Sequence, residues 1–169
     1  GDAYSQAFDM VLDHPDLSQW EYILTVEADN CPPPDGVIQL LDRMEAHPEF
    51  HCIGGLYFTK GPGGVAQIWG DPRDPVINFR PQVPDTQGGL VECCGTGMGF
   101  NLWRISWLKK NREKLPKPLF QTKMGRAGEG GVGTQDLTFA SAARAHGFRC
   151  AIDCSVRVGH YSYQDDVNW

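Results

Sequence analysis

The sequence predicts an α/β fold with a mixed, mainly parallel central sheet flanked by helices. Residues 22–26 (Tyr-Ile-Leu-Thr-Val) form an apolar, β-prone run without polar alternation, which is typical of a strand covered on both faces. A helical repeat follows at 35–46, and a second apolar run follows at 52–58. Strand, helix and strand at this spacing form a βαβ unit, whose two strands run parallel.

Length and composition indicate one folded domain over residues 1–169. Hydrophobic residues make up 41% and charged residues 21% of the chain, which excludes the disordered class. No apolar run is long enough to span a bilayer and no signal peptide is present, so we expect a soluble, cytoplasmic protein. Six cysteines without a C-x-x-C pair favour buried, reduced thiols over disulfides or a zinc site.

The net charge of −6 is unevenly distributed along the chain. Residues 104–126 contain eight Lys and Arg against the single acid Glu113. This basic block either attracts a phosphorylated ligand or forms a solvent-exposed face. The rest of the chain is acidic and contains no recognisable nucleic-acid-binding motif, so the basic block does not support nucleic-acid binding.

The helices and strands of the first half have clear start and stop signals. Residues 3–13 predict a helix, because Tyr4, Phe8 and Val11 fall on one stripe, and His14-Pro15 ends it. After the strand at 22–26, Asp35 is a suitable N-cap for the second helix.

The second half predicts further elements separated by two irregular segments. Residues 59–88 are rich in Gly and Pro, and a loop of that length is usually functional or hides a short hairpin. Beyond it we expect a strand over 90–94, an extended segment over 100–103, a helix over 104–114, a glycine-rich segment over 121–135, a helix from Asp136 to a C-cap at Gly147, and strands over 148–153 and 155–159.

Two carboxylates follow the first strand directly. Glu27 and Asp29 are two residues apart, and a proline run after them prevents the strand from continuing. Ligands of open α/β sheets gather beyond the carboxyl ends of strands, and carboxylates there are hard ligands for a divalent cation. The alternative is a pair of loop carboxylates that cap a helix or face water.

Three further positions are candidates for chemistry, each with a structural alternative. Asp136 stands where a glycine-rich segment meets a helix, so it is an N-cap, a base that works through positioning, or both. His160 follows the last strand and is either a histidine buried by neighbouring tyrosines or a metal ligand partnered by Asp29. The Gly95-Thr96-Gly97 segment lacks the dinucleotide fingerprint spacing, so its glycines either admit a ligand close to the backbone or mark a bulge.

Taken in order, several segments resemble those of glycosyltransferases with the GT-A fold, especially family-2-like enzymes. Residues 27–33 (E-x-D-N-x-P-P) resemble the DxD motif, with glutamate in place of the first aspartate. The other matching segments are residues 94–104 with "GTGF-x-L-x-R", 115–120 with "LPxPxF", 134–148 with "ED-L-x-F…A-x-x-x-G", and 156–160 with the terminal strand and its histidine.

The resemblance implies a metal-dependent site. Asp29 and His160 would be ligands of Mn²⁺ or Mg²⁺, and Glu27 would bind the metal or the nucleotide ribose. Asp136 would be the base that deprotonates the acceptor hydroxyl. The remaining implied positions are Gly95, Thr96 and Gly97 near the donor, and Trp69, Arg126 and Gln135 as acceptor or loop positions, with Gln135 replacing the glutamate of the family motif.

The implied function is transfer of a sugar from a UDP- or GDP-linked donor to a hydroxyl acceptor. The family places a nucleotide-binding βαβ segment before the DxD strand, whereas one helix precedes it here, so the resemblance implies a partial domain truncated at the N-terminus. A second hypothesis is an incomplete α/β remnant that binds a partner or forms oligomers through an exposed sheet edge. A nucleotidyltransferase is less favoured, because the chain start lacks a basic glycine-rich phosphate loop.

Overall fold

The computed structural model describes residues 1–124 and 132–169 as a mixed α/β structure. The helices are α1 (Asp2–Asp13), α2 (Gly36–Ala46), α3 (Ile105–Asn111) and α4 (Gln135–Arg144), with 3-10 turns at Leu17–Gln19 and Arg112–Lys114. The strands are β1 (Tyr22–Val26), β2 (Asn30–Cys31), β3 (Cys52–Leu56), β4 (Ile68–Trp69), β5 (Leu90–Cys93), β6 (Gly95–Thr96), β7 (Phe100–Arg104), β8 (Lys123–Met124), β9 (Val132–Gly133), β10 (Cys150–Arg157), β11 (Gly159–Ser162) and β12 (Val167–Asn168). The predicted helices are confirmed to within a few residues at their ends.

The central sheet has five strands in the order β1-β7-β3-β10-β5. Only β3 and β10 pair in parallel in it, and the other three pairings are antiparallel. The prediction of a mainly parallel sheet is therefore wrong. The prediction failed because of β7, which lies between β1 and β3 and runs antiparallel to both. The connection from β3 to β7 contains no crossover helix, so nothing forces β7 to run parallel to its neighbours.

The direction of the βαβ unit is nevertheless as predicted. Because β1 and β3 are both antiparallel to β7, they run the same way, and β10 follows them through its parallel pairing with β3. The carboxyl ends of β1, β3 and β10 therefore meet at one edge of the sheet.

Strand β1 is an edge strand, and one of its faces is open. Leu24 is 39% and Val26 47% exposed, so the predicted coverage on both faces is wrong. The opposite face is packed, since Ile23 contacts the core and the Trp103 indole donates to Thr25 Oγ1 at 3.0 Å.

Two buried clusters hold helices to the sheet. On one face Phe8 of α1 packs edge-on against Trp103 at 5.6 Å between ring centroids, and Phe139 of α4 joins the same cluster. On the other face Leu40 and Met44 of α2 are fully buried with strand residues of the second cluster. Each such side chain contributes about 1.5–3 kcal/mol relative to leaving it exposed.

The prediction of buried cysteines is confirmed for five of the six. Five of the six are buried, Cys31 is exposed, and none forms a disulfide in the part of the chain that the structure describes. Within the same residues, no helix has the length and apolar character needed to cross a bilayer.

Candidate functional site

An open cleft of about 300 Å³ lies at the sheet edge where β1, β3 and β10 end. Side chains that follow each of these strands reach it: Glu27 after β1, Lys60 after β3 and His160 after β10. The lining residues are Glu27, Tyr57, Thr59, Lys60, Gln67, Gly97, Met98, Gln135, Asp136 and His160.

Asp29 and His160 are brought together by a short strand pairing. Strand β11 pairs antiparallel with β2, with His160 opposite Asn30, and the Tyr161 N–H donates to the Asp29 carbonyl at 2.7 Å. As a result His160 Nε2 lies 3.5 Å from Asp29 Oδ2. The predicted juxtaposition of these two residues is therefore present.

The orientation of the His160 ring is fixed by the backbone. Its Nδ1 is 2.7 Å from the Phe58 carbonyl oxygen, and since a carbonyl only accepts, Nδ1 must carry the hydrogen. In the neutral ring this leaves the Nε2 lone pair directed toward the Asp29 carboxylate. A backbone carbonyl that fixes the tautomer in this way is the usual support of a metal-binding histidine.

Asp29 also forms an ion pair that the sequence did not indicate. Lys60 Nζ donates to Asp29 Oδ2 at 2.7 Å, with the two side chains 34% and 29% exposed. This hydrogen bond is the main reason why the pKa of Asp29 is lowered. Lys60 belongs to no motif, although its place just beyond β3, at the carboxyl edge of the sheet, is a signal that could have identified it.

Glu27 is a half-buried carboxylate beside two other acids. The Tyr4 hydroxyl donates to Glu27 Oε1 at 3.0 Å. Burial raises the pKa of Glu27, and the nearby charges of Asp29 and Asp136 raise it further against the lowering effect of the Tyr4 bond. A positive charge brought into the cleft would therefore favour the ionised form of Glu27.

Asp136 and Gln135 both line the cleft from the first turn of α4. Thr134 is the N-cap residue, so Asp136 lies inside the helix rather than at its cap. Its Oδ1 accepts the Leu137 N–H at 2.9 Å. The helix N-terminus is a favourable position for a negatively charged side chain.

The three residues of the Gly95-Thr96-Gly97 segment occupy different positions. Gly97 forms part of the cleft wall, where a Cβ would lie 2.2 Å from Tyr57 Oη. Gly95 lies under α4, with a Cβ position 2.8 Å from Leu137 Cδ2. Thr96 is buried and its hydroxyl donates to the Gly97 carbonyl at 3.2 Å. Only Gly97 lines the cleft.

The remaining candidates are more distant or undescribed. The Trp69 indole donates to Gln67 Oε1 at 3.3 Å, so Trp69 supports a lining residue without lining the cleft itself. Arg126 lies outside the described residues, as do the other residues of 125–131 in the glycine-rich segment.

The donor set of Asp29 and His160 fits a divalent cation such as Mn²⁺ or Mg²⁺. A carboxylate oxygen and an imidazole nitrogen with a free lone pair face each other, and such ions commonly take one or two protein ligands and complete their coordination with substrate phosphates and water. Within residues 1–124 and 132–169 no group of three or more His, Cys, Asp or Glu side chains could hold a metal alone.

Comparisons with known proteins give a structural similarity only. No protein-family profile and no curated protein matches the sequence. Among solved structures, the chain is similar to A197 from STIV, with a TM-score of 0.62 at 16% identity over 98% of this chain and 72% of that one. At this identity the similarity concerns the fold and carries no function.

Proposed function

We propose that the chain is a GT-A-like, metal-dependent glycosyltransferase core. It would move a sugar from a UDP- or GDP-linked donor to a hydroxyl acceptor. The observation that carries this proposal is the arrangement of Asp29 and His160. Their facing donor atoms lie 3.5 Å apart at the carboxyl edge of the sheet, next to a cleft that also contains the Asp136 carboxylate.

The residues of the site have distinct roles in this proposal. Asp29 and His160 would hold a divalent cation, which would supply positive charge to neutralise the donor diphosphate and stabilise the leaving group. Glu27 lines the cleft and accepts the hydrogen bond of the Tyr4 hydroxyl. In this proposal it also accepts hydrogen bonds from the donor ribose.

Asp136 is the base of the proposed reaction. It accepts the proton of the acceptor hydroxyl as that oxygen attacks the anomeric carbon of the donor sugar and the bond to the diphosphate breaks. A carboxylate is a weak base for a hydroxyl, so its contribution depends on orientation. The first turn of α4 supplies that orientation, together with the Leu137 N–H bond.

Isothermal titration calorimetry with UDP and GDP tests the proposal. We expect nucleotide binding to require Mn²⁺ and to weaken at least about tenfold in Asp29→Asn, because a charge-assisted contact contributes about 1.5–3 kcal/mol. Asp16→Asn, which makes the same change at an exposed position, should bind as the wild type does. Binding that is insensitive to both Asp29→Asn and EDTA would show that the metal role is wrong.

A second candidate function, assembly through the sheet edge, has an observation in its favour. The open edge of β1 has no partner strand among the described residues, and Leu24 and Val26 of this strand are exposed. Unpaired edges with apolar side chains recruit other chains. If this candidate is right, light scattering should show a dimer that Leu24→Lys dissociates. A monomeric protein with sugar-nucleotide turnover would exclude it.

A further inference from the structure

Lys60 is the cation of the cleft. Among the lining side chains in the described ranges, it is the only lysine or arginine, and it faces a site with the three carboxylates Glu27, Asp29 and Asp136. A nucleotide diphosphate that approaches these acids brings further negative charge. These like charges repel one another, so a cation in the cleft would favour diphosphate binding.

The position of Lys60 suits a change of partner. Its ammonium is bound to Asp29 Oδ2, the same oxygen that faces His160 Nε2. A cation held by Asp29 and His160 would therefore compete with Lys60 for that oxygen. The Lys60 side chain is 34% exposed and carries a compact charge on a flexible stem, so the ammonium can leave Asp29 without unpacking the core.

We propose that Lys60 is a ligand of the donor diphosphate. Until metal and donor bind, Asp29 holds the Lys60 side chain at the cleft. The inference rests on the proposed function, because it requires a diphosphate at this site. On donor binding, the ammonium moves from the carboxylate to the phosphate oxygens, and Asp29 becomes free to bind the cation. Lys60 thus opposes metal binding in the free protein and favours diphosphate binding in the loaded one.

The proposal predicts effects of opposite sign for one substitution. In Lys60→Met, Mn²⁺ alone should bind about threefold more tightly, because Asp29 loses a competing partner. Pyrophosphate and UDP at saturating Mn²⁺ should bind at least about tenfold more weakly, because a charge-assisted contact is lost. A merely structural role of Lys60 would weaken both or neither.

The experiment measures the two affinities separately on the whole chain. Mn²⁺ binding is followed by the electron paramagnetic resonance signal of the free ion, and pyrophosphate and UDP binding by calorimetry. Lys60→Arg keeps the charge and should retain diphosphate affinity to within about threefold. Lys117→Met removes the charge of an exposed lysine paired with Glu113, outside the cleft, and should change neither affinity.

The outcomes separate this inference from the proposed function. If the wild type binds Mn²⁺ and UDP through Asp29 and Lys60→Met binds both unchanged, the inference is wrong and the proposed function stands. A parallel loss of both affinities in Lys60→Met would likewise overturn it. If the wild type binds no UDP, GDP or pyrophosphate at any Mn²⁺ concentration, the proposed function and the inference fail together.

Discussion

The ion pair between Arg43 and Asp153 links α2 to the strand that leads to His160. Asp153 lies in β10 with a fully buried side chain, and Arg43 Nε donates to its Oδ2 at 2.7 Å. The other carboxylate oxygen accepts the Ser155 N–H at 2.9 Å and the Ser155 hydroxyl at 2.6 Å. Replacing Arg43 by Leu would leave this carboxylate buried without its charged partner.

The size of the effect follows from the burial of the two partners. Breaking a fully buried pair costs about 3–5 kcal/mol, but the Arg43 side chain is 39% exposed and the Ser155 bonds remain. Water can therefore replace part of the lost contact, and we expect Arg43→Leu to lower the free energy of unfolding by about 2–3 kcal/mol. For a chain of 169 residues this corresponds to a fall in Tm of about 4–12 °C.

Urea denaturation followed by circular dichroism measures this loss. Arg73→Leu is the matched control, because Arg73 pairs with Asp71 on the surface and its side chain is 86% exposed. We expect the control to lose less than about 1 kcal/mol. Equal losses in Arg43→Leu and Arg73→Leu would refute the reasoning that burial determines the value of the pair.

Three further predictions concern a histidine, a tyrosine and a glycine. Burial lowers the pKa of His51 to about 4, from 6.5 in the unfolded chain. The free energy of unfolding should therefore be highest above pH 6.5 and fall by about 1–2 kcal/mol as the pH drops toward 4, since solvent screens part of the effect on this partly exposed ring. Urea titrations of wild type and His51→Asn with identical pH slopes would contradict this. Tyr4→Phe should raise the pKa of Glu27 further, since it removes a hydrogen bond to the ionised carboxylate. An unchanged or lower pKa, measured by ¹³C NMR of the Glu27 carboxyl group, would show that this is wrong. Gly54→Ala should destabilise the protein by about 1–3 kcal/mol because its Cβ would lie 2.0 Å from Asn101 Oδ1, and a wild-type Tm for this variant would disprove the predicted clash.

The helices were predictable because their signals are local. The apolar stripe of α1 and the stop at His14-Pro15 lie within the segment itself, and the structure ends the helix at Asp13. The sheet order depends on long-range pairing, which no local pattern contains. An extended segment over 100–103 was foreseen, but its insertion between β1 and β3 was not, and that insertion makes the sheet mostly antiparallel.

The residues of the site also differed in how far the sequence could predict them. Asp29 and His160 could be paired from the sequence, because the family resemblance implies that both are ligands of one metal ion. That implication does not depend on their separation along the chain. Lys60 was not predicted, because a single lysine matches no motif, and its position just beyond β3 was the one signal available. Its partner is Asp29, 31 residues away in the sequence, and only folding brings them to 2.7 Å.

Anomalous diffraction from crystals grown with Mn²⁺ and UDP or GDP tests the central claim most directly. The account predicts a manganese peak within bonding distance of both the Asp29 carboxylate and His160 Nε2, with the diphosphate in the cleft beside Lys60. A nucleotide bound in the cleft while the manganese lies elsewhere and Asp29 remains paired with Lys60 would contradict it.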